Sequence, residues 1–184
     1  MAEKKTGERL FVALDPPQEV KAAAAAWGRE AARTGKGMRP LDAEKTHITL
    51  AFLGYRDRAE AGVIAEAMAR VAAPAGELGL GAPLWLPKRR PRSLAIAVNR
   101  ESGELEELRA ALVGELTSAI GWEPERRNFL PHLTAARMGR GFEMGSDPLP
   151  PTPPLTFTGE SLMLYRSRLS QEGASYEGLA RVEL

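Results

Sequence analysis

Cysteine is absent from the 184 residues of this chain, and histidine occurs only twice. Without cysteine there is no disulfide, no thiolate nucleophile and no cysteine-ligated zinc or iron–sulfur site. No run approaches the roughly 20 apolar residues of a membrane-spanning helix. The first nine residues are charged and lack the apolar stretch of a signal peptide. These absences predict a cytoplasmic protein that does not use a membrane.

An excess of charge of one sign is also missing. Lysine and arginine number 25 against 24 aspartate and glutamate, which leaves a formal net charge of +1. No overall field therefore attracts nucleic acid, and a basic binding surface has to be local. The densest basic segment, residues 88–92, is either a solvated loop or a guide for an RNA backbone. The apolar fraction of 43% is typical of a globular protein, and the length suits one domain.

Hydrophobic periodicity predicts helices that alternate with groups of strands. The predicted strands are 9–14, 46–53, 78–86, 93–99, 132–138, 155–165 and 174–182, and the predicted helices are 17–34, 57–73 and 102–120. Residues 139–154, rich in glycine and proline, are predicted to form an exposed loop, and a turn containing Gly173 joins the last two strands as a hairpin. This order favours an α+β fold with helices packed on antiparallel sheets. Two similar β-α-β units suggest a pseudo-twofold arrangement.

Both histidines occupy the same local pattern. His47 is followed at the second position by Thr49, and His132 by Thr134. Positions i and i+2 of a strand share a face, so each motif presents an imidazole beside a hydroxyl. The alternating apolar residues of the first motif strand are predicted to face the core: Ile48, Leu50 and Phe52.

Paired imidazoles and hydroxyls suit the opening of a cyclic phosphodiester by water. That reaction needs a base for the water and an acid for the departing ribose oxygen. Two histidines supply both near neutral pH without a metal, and the threonine hydroxyls donate to phosphoryl oxygens. The residues leave two alternatives open: each histidine is a structural group bonded to its strand neighbours, or the pair binds zinc with carboxylates from elsewhere.

Four segments in order along the chain resemble the two-histidine phosphoesterase superfamily, specifically its RNA 2′,3′-cyclic phosphodiesterases, also called bacterial 2′–5′ RNA ligases. They are "RLFVALDPP" at 9–17, "THITLAFLG" at 46–54, "FLPHLTAAR" at 129–137 and "LMLYRSRLSQEGASYEGL" at 162–179. Two departures are Ala135, where a large apolar residue is usual, and Pro40, where an aromatic residue is common. Neither touches the two histidines.

The resemblance implies a bilobed, pseudo-twofold α+β fold, with two antiparallel sheets, helices on the outside and a central open cleft. Residues 1–184 then form a single catalytic domain of two intertwined lobes. The implied activity is cofactor-free hydrolysis of RNA 2′,3′-cyclic phosphate ends, including tRNA fragments, or of small cyclic nucleotides, by a monomer. The alternatives are reversible 2′–5′ ligation of tRNA halves and a non-catalytic RNA-binding module. The resemblance favours His47 as the acid and His132 as the base.

Three further residues are predicted to bind substrate. Arg137 matches the arginine that ends the second family motif, but five positions after His132 it faces the cleft only if the strand bends or ends there. Phe11 is either a core residue or a stacking surface for a nucleobase, and Tyr165 is predicted to flank the cleft from the last hairpin.

Overall fold

Nine strands and three helices make up the part of the chain that the computed structural model describes, residues 7–170 and 173–184. The strands are β1 (Glu8–Asp15), β2 (Lys36–Pro40), β3 (Ile48–Arg56), β4 (Glu77–Leu86), β5 (Ser93–Arg100), β6 (His132–Glu143), β7 (Thr156–Thr158), β8 (Ser161–Ser170) and β9 (Gly173–Glu183). The helices are α1 (Gln18–Ala31), α2 (Glu60–Arg70) and α3 (Glu104–Ile120). No helix in these residues is long and apolar enough to cross a membrane.

The strands pair in the order β7-β4-β5-β6-β3-β1-β8-β9, with β2 also on β6, and the pairings are antiparallel. Between β3 and β6 a single residue pair is in register, Ile48 opposite Leu133. The nine strands thus form one continuous sheet whose two antiparallel halves are joined at one point, and each half is described as a sheet of its own. We call β3-β1-β8-β9 the His47 sheet and β7-β4-β5-β6 with β2 the His132 sheet. The predicted α+β class with antiparallel sheets is confirmed.

Each sheet is covered by a helix that comes from the other one. Helix α1 leaves β1 of the His47 sheet and packs against β2 and β6, whereas α3 leaves β5 of the His132 sheet and packs against β3. Helix α2 fills the remaining space against α3, β8 and β9. Apolar side chains from both sheets and all three helices form one continuous buried cluster, and Phe11, Ala13 and Tyr165 form a second, smaller one. This shared core fixes the position of the two sheets relative to each other.

A β-bulge follows each histidine motif at the same place. On β3, Thr49 is opposite Ala13 and Ala51 is opposite Val12, so Leu50 has no partner of its own. On β6, Thr134 is opposite Ala95 and Ala136 is opposite Leu94, so Ala135 is the extra residue. Such an insertion shifts the alternation of all later side chains by one.

The bulges and two short strands are where the sequence prediction was wrong. Phe52 was assigned to the core face, but it is 50% exposed because the bulge turns it to the face of His47. Strand β2 was not predicted, β6 runs five residues into the predicted loop 139–154, and the predicted strand 155–165 is divided into β7 and β8. The final hairpin is confirmed by the β8–β9 pairing, in which Ser170 is opposite Gly173, and Gln171 and Glu172 lie outside the described residues.

Candidate active site

The two motifs lie side by side at the junction of the sheets. Because Ile48 pairs with Leu133 in an antiparallel register, His47 lies beside Thr134 and Thr49 beside His132. All four side chains are half-buried on the face opposite the fully buried Ile48 and Leu133. The structure therefore brings the four residues of both motifs into one group with local twofold symmetry.

The bulge at Ala135 also brings Arg137 to this face. His132, Thr134 and Arg137 are opposite the β5 residues at positions 97, 95 and 93, which alternate regularly and share one face. Arg137 is exposed there, and its charge lowers the pKa of both histidines. Arg137 was expected to face the cleft only if its strand bends or ends, and the bulge at Ala135 provides that bend. Residues 97 and 95 are alanines and residue 93 is serine, so the side chains beside the two motif residues and Arg137 are small.

The backbone carbonyl at each bulge accepts a hydrogen bond from a residue outside the strands. The backbone N–H of Leu41 donates to the carbonyl of Ala135 at 2.8 Å, directly under Gly28 of α1. The Arg109 Nε of α3 donates to the carbonyl of Leu50 at 3.1 Å. Each bulge is thus satisfied by polar hydrogen bonds rather than left as a defect of the sheet.

His47 lies in a cluster of aromatic rings. The ring centre of His47 is 4.9 Å from that of Phe11, 5.7 Å from Tyr165 and 5.1 Å from Tyr176, the last edge-on at 84°. Phe11 and Tyr165 are only 3% and 9% exposed. The two predicted substrate-binding residues therefore lie beside the histidine, where their packing holds the imidazole in place and leaves little ring surface for a base.

A buried ion pair supports this cluster from below. The Lys21 ammonium of α1 lies 2.6 Å from the carboxylate of Asp15, and the Tyr165 hydroxyl donates to the same carboxylate at 3.3 Å. Burial and the Asp15 charge raise the pKa of Tyr165, so its hydroxyl stays a donor. The ring of Tyr165 is thereby tied to the ends of both β1 and α1.

His132 is oriented by its own backbone. Its Nδ1 is 2.8 Å from the carbonyl of Leu130, two residues earlier, and a carbonyl only accepts, so Nδ1 carries the proton. In neutral His132 the lone pair is then on Nε2. The carbonyl of Lys45, also two residues earlier, likewise favours the protonated form of His47.

Both histidines are held neutral in the free protein. Burial lowers the pKa of His47 to about 3, with a further contribution from the Arg137 guanidinium. Burial, together with Arg137, also lowers the pKa of His132, against the effect of the Leu130 carbonyl. An anion bound at the site would offset the positive charge of Arg137 and raise the pKa of both imidazoles.

The threonine hydroxyls of both motifs are available to a ligand. Within residues 7–170 and 173–184 neither Thr49 nor Thr134 makes a side-chain hydrogen bond, although both are half-buried. In the same residues, no group of three or more histidine, aspartate or glutamate side chains is arranged to hold a metal ion. The two motifs and Arg137 thus contribute two imidazoles, two hydroxyls and one guanidinium.

Sequence reasoning missed two residues that line this site. Phe52 faces the cleft five positions after His47, as Arg137 does five positions after His132, and its ring centre is 6.0 Å from Phe11. Tyr176 lies on β9 beside His47. Tyr176 belongs to the quoted hairpin segment and could have been predicted from it. Phe52 could not, because no residue of β3 indicates the bulge that turns it to this face.

Comparison with known proteins finds related phosphoesterases. A family model described as LigT like Phosphoesterase matches residues 14–92. RNA 2′,3′-cyclic phosphodiesterases match from Aeropyrum pernix (36% identity, 58% of this chain and 61% of that protein), Geobacillus stearothermophilus (30%, 95% and 56%) and Thermus thermophilus (32%, 96% and 90%). The chain thus spans about three fifths of the first two and most of the third.

Solved structures share the whole fold. A Thermus thermophilus protein superposes with a TM-score of 0.75 at 28% identity, covering 96% of this chain and 97% of that one. Escherichia coli LigT complexed with 3′-AMP superposes with a TM-score of 0.78 at 24% identity, covering 97% and 99%. The RNA 2′,3′-cyclic phosphodiesterase of Thermus thermophilus is 32% identical to this chain over 90% of its own length, and this chain therefore belongs to the LigT-like phosphoesterase family.

Proposed function

We propose that this protein hydrolyses 2′,3′-cyclic phosphate ends of RNA to 2′-phosphates without a metal, and that the whole chain acts as one catalytic domain. The observation that carries the proposal is the register at the sheet junction, which sets each imidazole beside the hydroxyl of the other motif. The name shared by the matching relatives, RNA 2′,3′-cyclic phosphodiesterase, supports the same substrate.

The proposed reaction needs one proton taken and one given. His132, with its lone pair on Nε2, accepts a proton from water as the oxygen of that water bonds to phosphorus. The bond from phosphorus to the ribose 3′ oxygen breaks, and His47 gives its proton to that oxygen. The product is a 2′-phosphate with a free 3′-hydroxyl, and the proton held by His132 returns to His47 through solvent.

The remaining polar groups stabilise the charge on phosphorus. The hydroxyls of Thr49 and Thr134 donate to the non-bridging oxygens, and the Arg137 guanidinium pairs with their negative charge. The charge of the bound phosphate raises the pKa of His47 and offsets the effect of Arg137, so the protonated form of His47 is favoured when substrate is present. Substrate binding thereby prepares the acid.

The test is direct. The purified protein is incubated in EDTA with a nucleoside 2′,3′-cyclic phosphate and with a short RNA that ends in one, and the products are separated. We expect a 2′-phosphate product, and turnover lowered about 10²–10⁴-fold in His47→Ala and in His132→Ala. Arg29→Ala, on the exposed side of α1, is the control and keeps wild-type turnover. Failure of the wild type to open either substrate refutes the proposal.

The local symmetry of the site also favours the second candidate, 2′–5′ ligation. If the 5′-hydroxyl of another RNA replaces water, the same base and acid form a 2′–5′ phosphodiester and release the 3′-hydroxyl. Matched tRNA halves, one ending in a cyclic phosphate and the other in a 5′-hydroxyl, test this candidate. Tight, salt-sensitive RNA binding without turnover of either kind would instead indicate a non-catalytic RNA-binding module.

A further inference from the structure

Two arginines lie directly opposite each other at the edge of the cleft. Arg39 on β2 pairs with Arg137 on β6 in an antiparallel register, and both side chains are exposed. Like charges directly opposite on one face of a sheet repel each other and destabilise the pairing. A fold that keeps such a pair needs either neutralising carboxylates nearby or a role for the doubled charge.

Carboxylates do not supply the neutralisation. Within the described residues, neither Arg39 nor Arg137 takes part in an ion pair or a side-chain hydrogen bond. Other strand arginines do have acidic partners on neighbouring strands, such as Arg166 with Glu8 and Glu177. The two facing guanidiniums therefore form a local excess of positive charge in a chain whose net charge is only +1.

The two side chains are directed to different places along the cleft. The charge of Arg137 reaches both histidines and lowers the pKa of each, whereas Arg39 is not among the charges that shift them. The Arg39 guanidinium instead lies over Gly139, where an added Cβ would be 3.2 Å from Nε. Gly139 is two residues farther from His132 than Arg137, which at about 3.3 Å per residue is some 7 Å farther along β6.

We propose that the two arginines bind successive phosphates of an RNA 3′ end. Arg137 holds the cyclic phosphate at the histidines, and Arg39 holds the phosphodiester that joins the terminal nucleotide to the preceding one. A guanidinium suits this role because its fork of donors matches phosphate oxygens. Arg39 is then a specificity residue that favours RNA ends over single nucleotides, an assignment that rests on the proposed function for the identity of the ligand.

Two substrates that differ by one phosphodiester separate the two arginines. They are a nucleoside 2′,3′-cyclic phosphate and a dinucleotide with the same cyclic end. For Arg39→Ala we expect kcat/KM on the dinucleotide to fall about tenfold, mainly through KM, as for the loss of one charge-assisted contact. On the mononucleotide the change is less than about twofold. Arg29→Ala, which removes the same charge from the exposed side of α1, changes neither.

Salt provides a second readout that a merely structural role would not change. Added salt screens and weakens an ion pair between exposed groups. Arg39→Ala should therefore make binding of the dinucleotide less sensitive to salt and leave the salt dependence of the mononucleotide unchanged. The thermal midpoint should not fall, because the substitution removes a like-charge pair.

Binding keeps the inference separate from catalysis. The 2′-phosphate forms of both compounds are titrated into wild type and Arg39→Ala, and dissociation constants are measured. A selective loss for the dinucleotide supports the inference even if the wild type opens no cyclic phosphate, a result that would refute only the proposed function. Equal losses on both compounds, or no loss on either, overturn the assignment of Arg39.

Discussion

At the scale of single residues, the burial of His47 among aromatic rings gives a prediction about acid stability. An unfolded chain protonates this imidazole near its ordinary pKa of 6.5, whereas the folded protein does so only near 3. Between these two pH values the unfolded state therefore binds more protons than the folded state, so the free energy of unfolding rises with pH. Above about pH 6.5 neither state protonates His47, and this loss of stability is absent. His47→Asn, which gains no charge in acid, should lose less stability on acidification.

The measurement is chemical unfolding of both proteins at pH 7 and at pH 4.5. At pH 4.5, two units below 6.5, protonation of His47 in the unfolded state lowers the free energy of unfolding by about 2.7 kcal/mol. Between pH 7 and pH 4.5 the wild type should therefore lose on the order of 2 kcal/mol more of this free energy than the variant. Carboxylates that titrate in this range are common to both proteins and cancel in the comparison. Identical losses in the two proteins would show that His47 is not held neutral by the fold.

The sequence predicted the placement of the four motif residues better than that of the residues around them. His47, Thr49, His132 and Thr134 repeat a short pattern, and i, i+2 alternation held across both motifs. It did not hold for Phe52, because a bulge depends on the pairing of β3 with β1 and leaves no mark in β3 alone. Arg39 could not be selected from the sequence for a similar reason. Its strand β2 is short, and the feature that distinguishes Arg39 is that it lies opposite Arg137.

At the scale of elements, the packing of α1 on the bulge of β6 predicts that one glycine is required. A Cβ on Gly28 would lie 2.5 Å from the backbone oxygen of Ala135, and a backbone oxygen cannot move aside as a flexible side chain does. Gly28→Ala should therefore push α1 away from the bulge that turns Arg137 into the cleft. We expect a destabilisation of about 1–3 kcal/mol and a loss of turnover.

Gly114 provides the matched control for that substitution. It also lies inside a helix, α3, but an added Cβ there meets nothing within 4 Å. Gly114→Ala should stabilise the protein by about 0.5–1 kcal/mol through helix propensity, with turnover unchanged. If thermal unfolding shows the same sign for both variants, the contact between Gly28 and the bulge is not what restricts that position.

Each sheet is covered by a helix that follows a strand of the other sheet. For this reason the order of elements along the chain predicted the fold class but not which helix covers which sheet. The β-α-β order of each unit was readable from periodicity. Which sheet each helix covers was not, because the apolar stripe of α1 or α3 suits any apolar sheet face. The contacts of Gly28 with the Ala135 carbonyl and of Arg109 with the Leu50 carbonyl decide it.

At the scale of the whole molecule, the shared core predicts that both sheets unfold together. The chain starts in the His47 sheet, builds the His132 sheet and returns to complete the first with β8 and β9. Trp122 donates to the carbonyl of Phe52 and reports on the His47 sheet, whereas Trp85 lies on β4 of the other. Proteins that retain one of these two tryptophans, with phenylalanine at the other sites, should show the same unfolding midpoint by fluorescence and by far-UV circular dichroism. Two separate midpoints within one variant would mean that the sheets are independent domains, and that the pairing of the two histidines depends on a weaker interface than the continuous core implies.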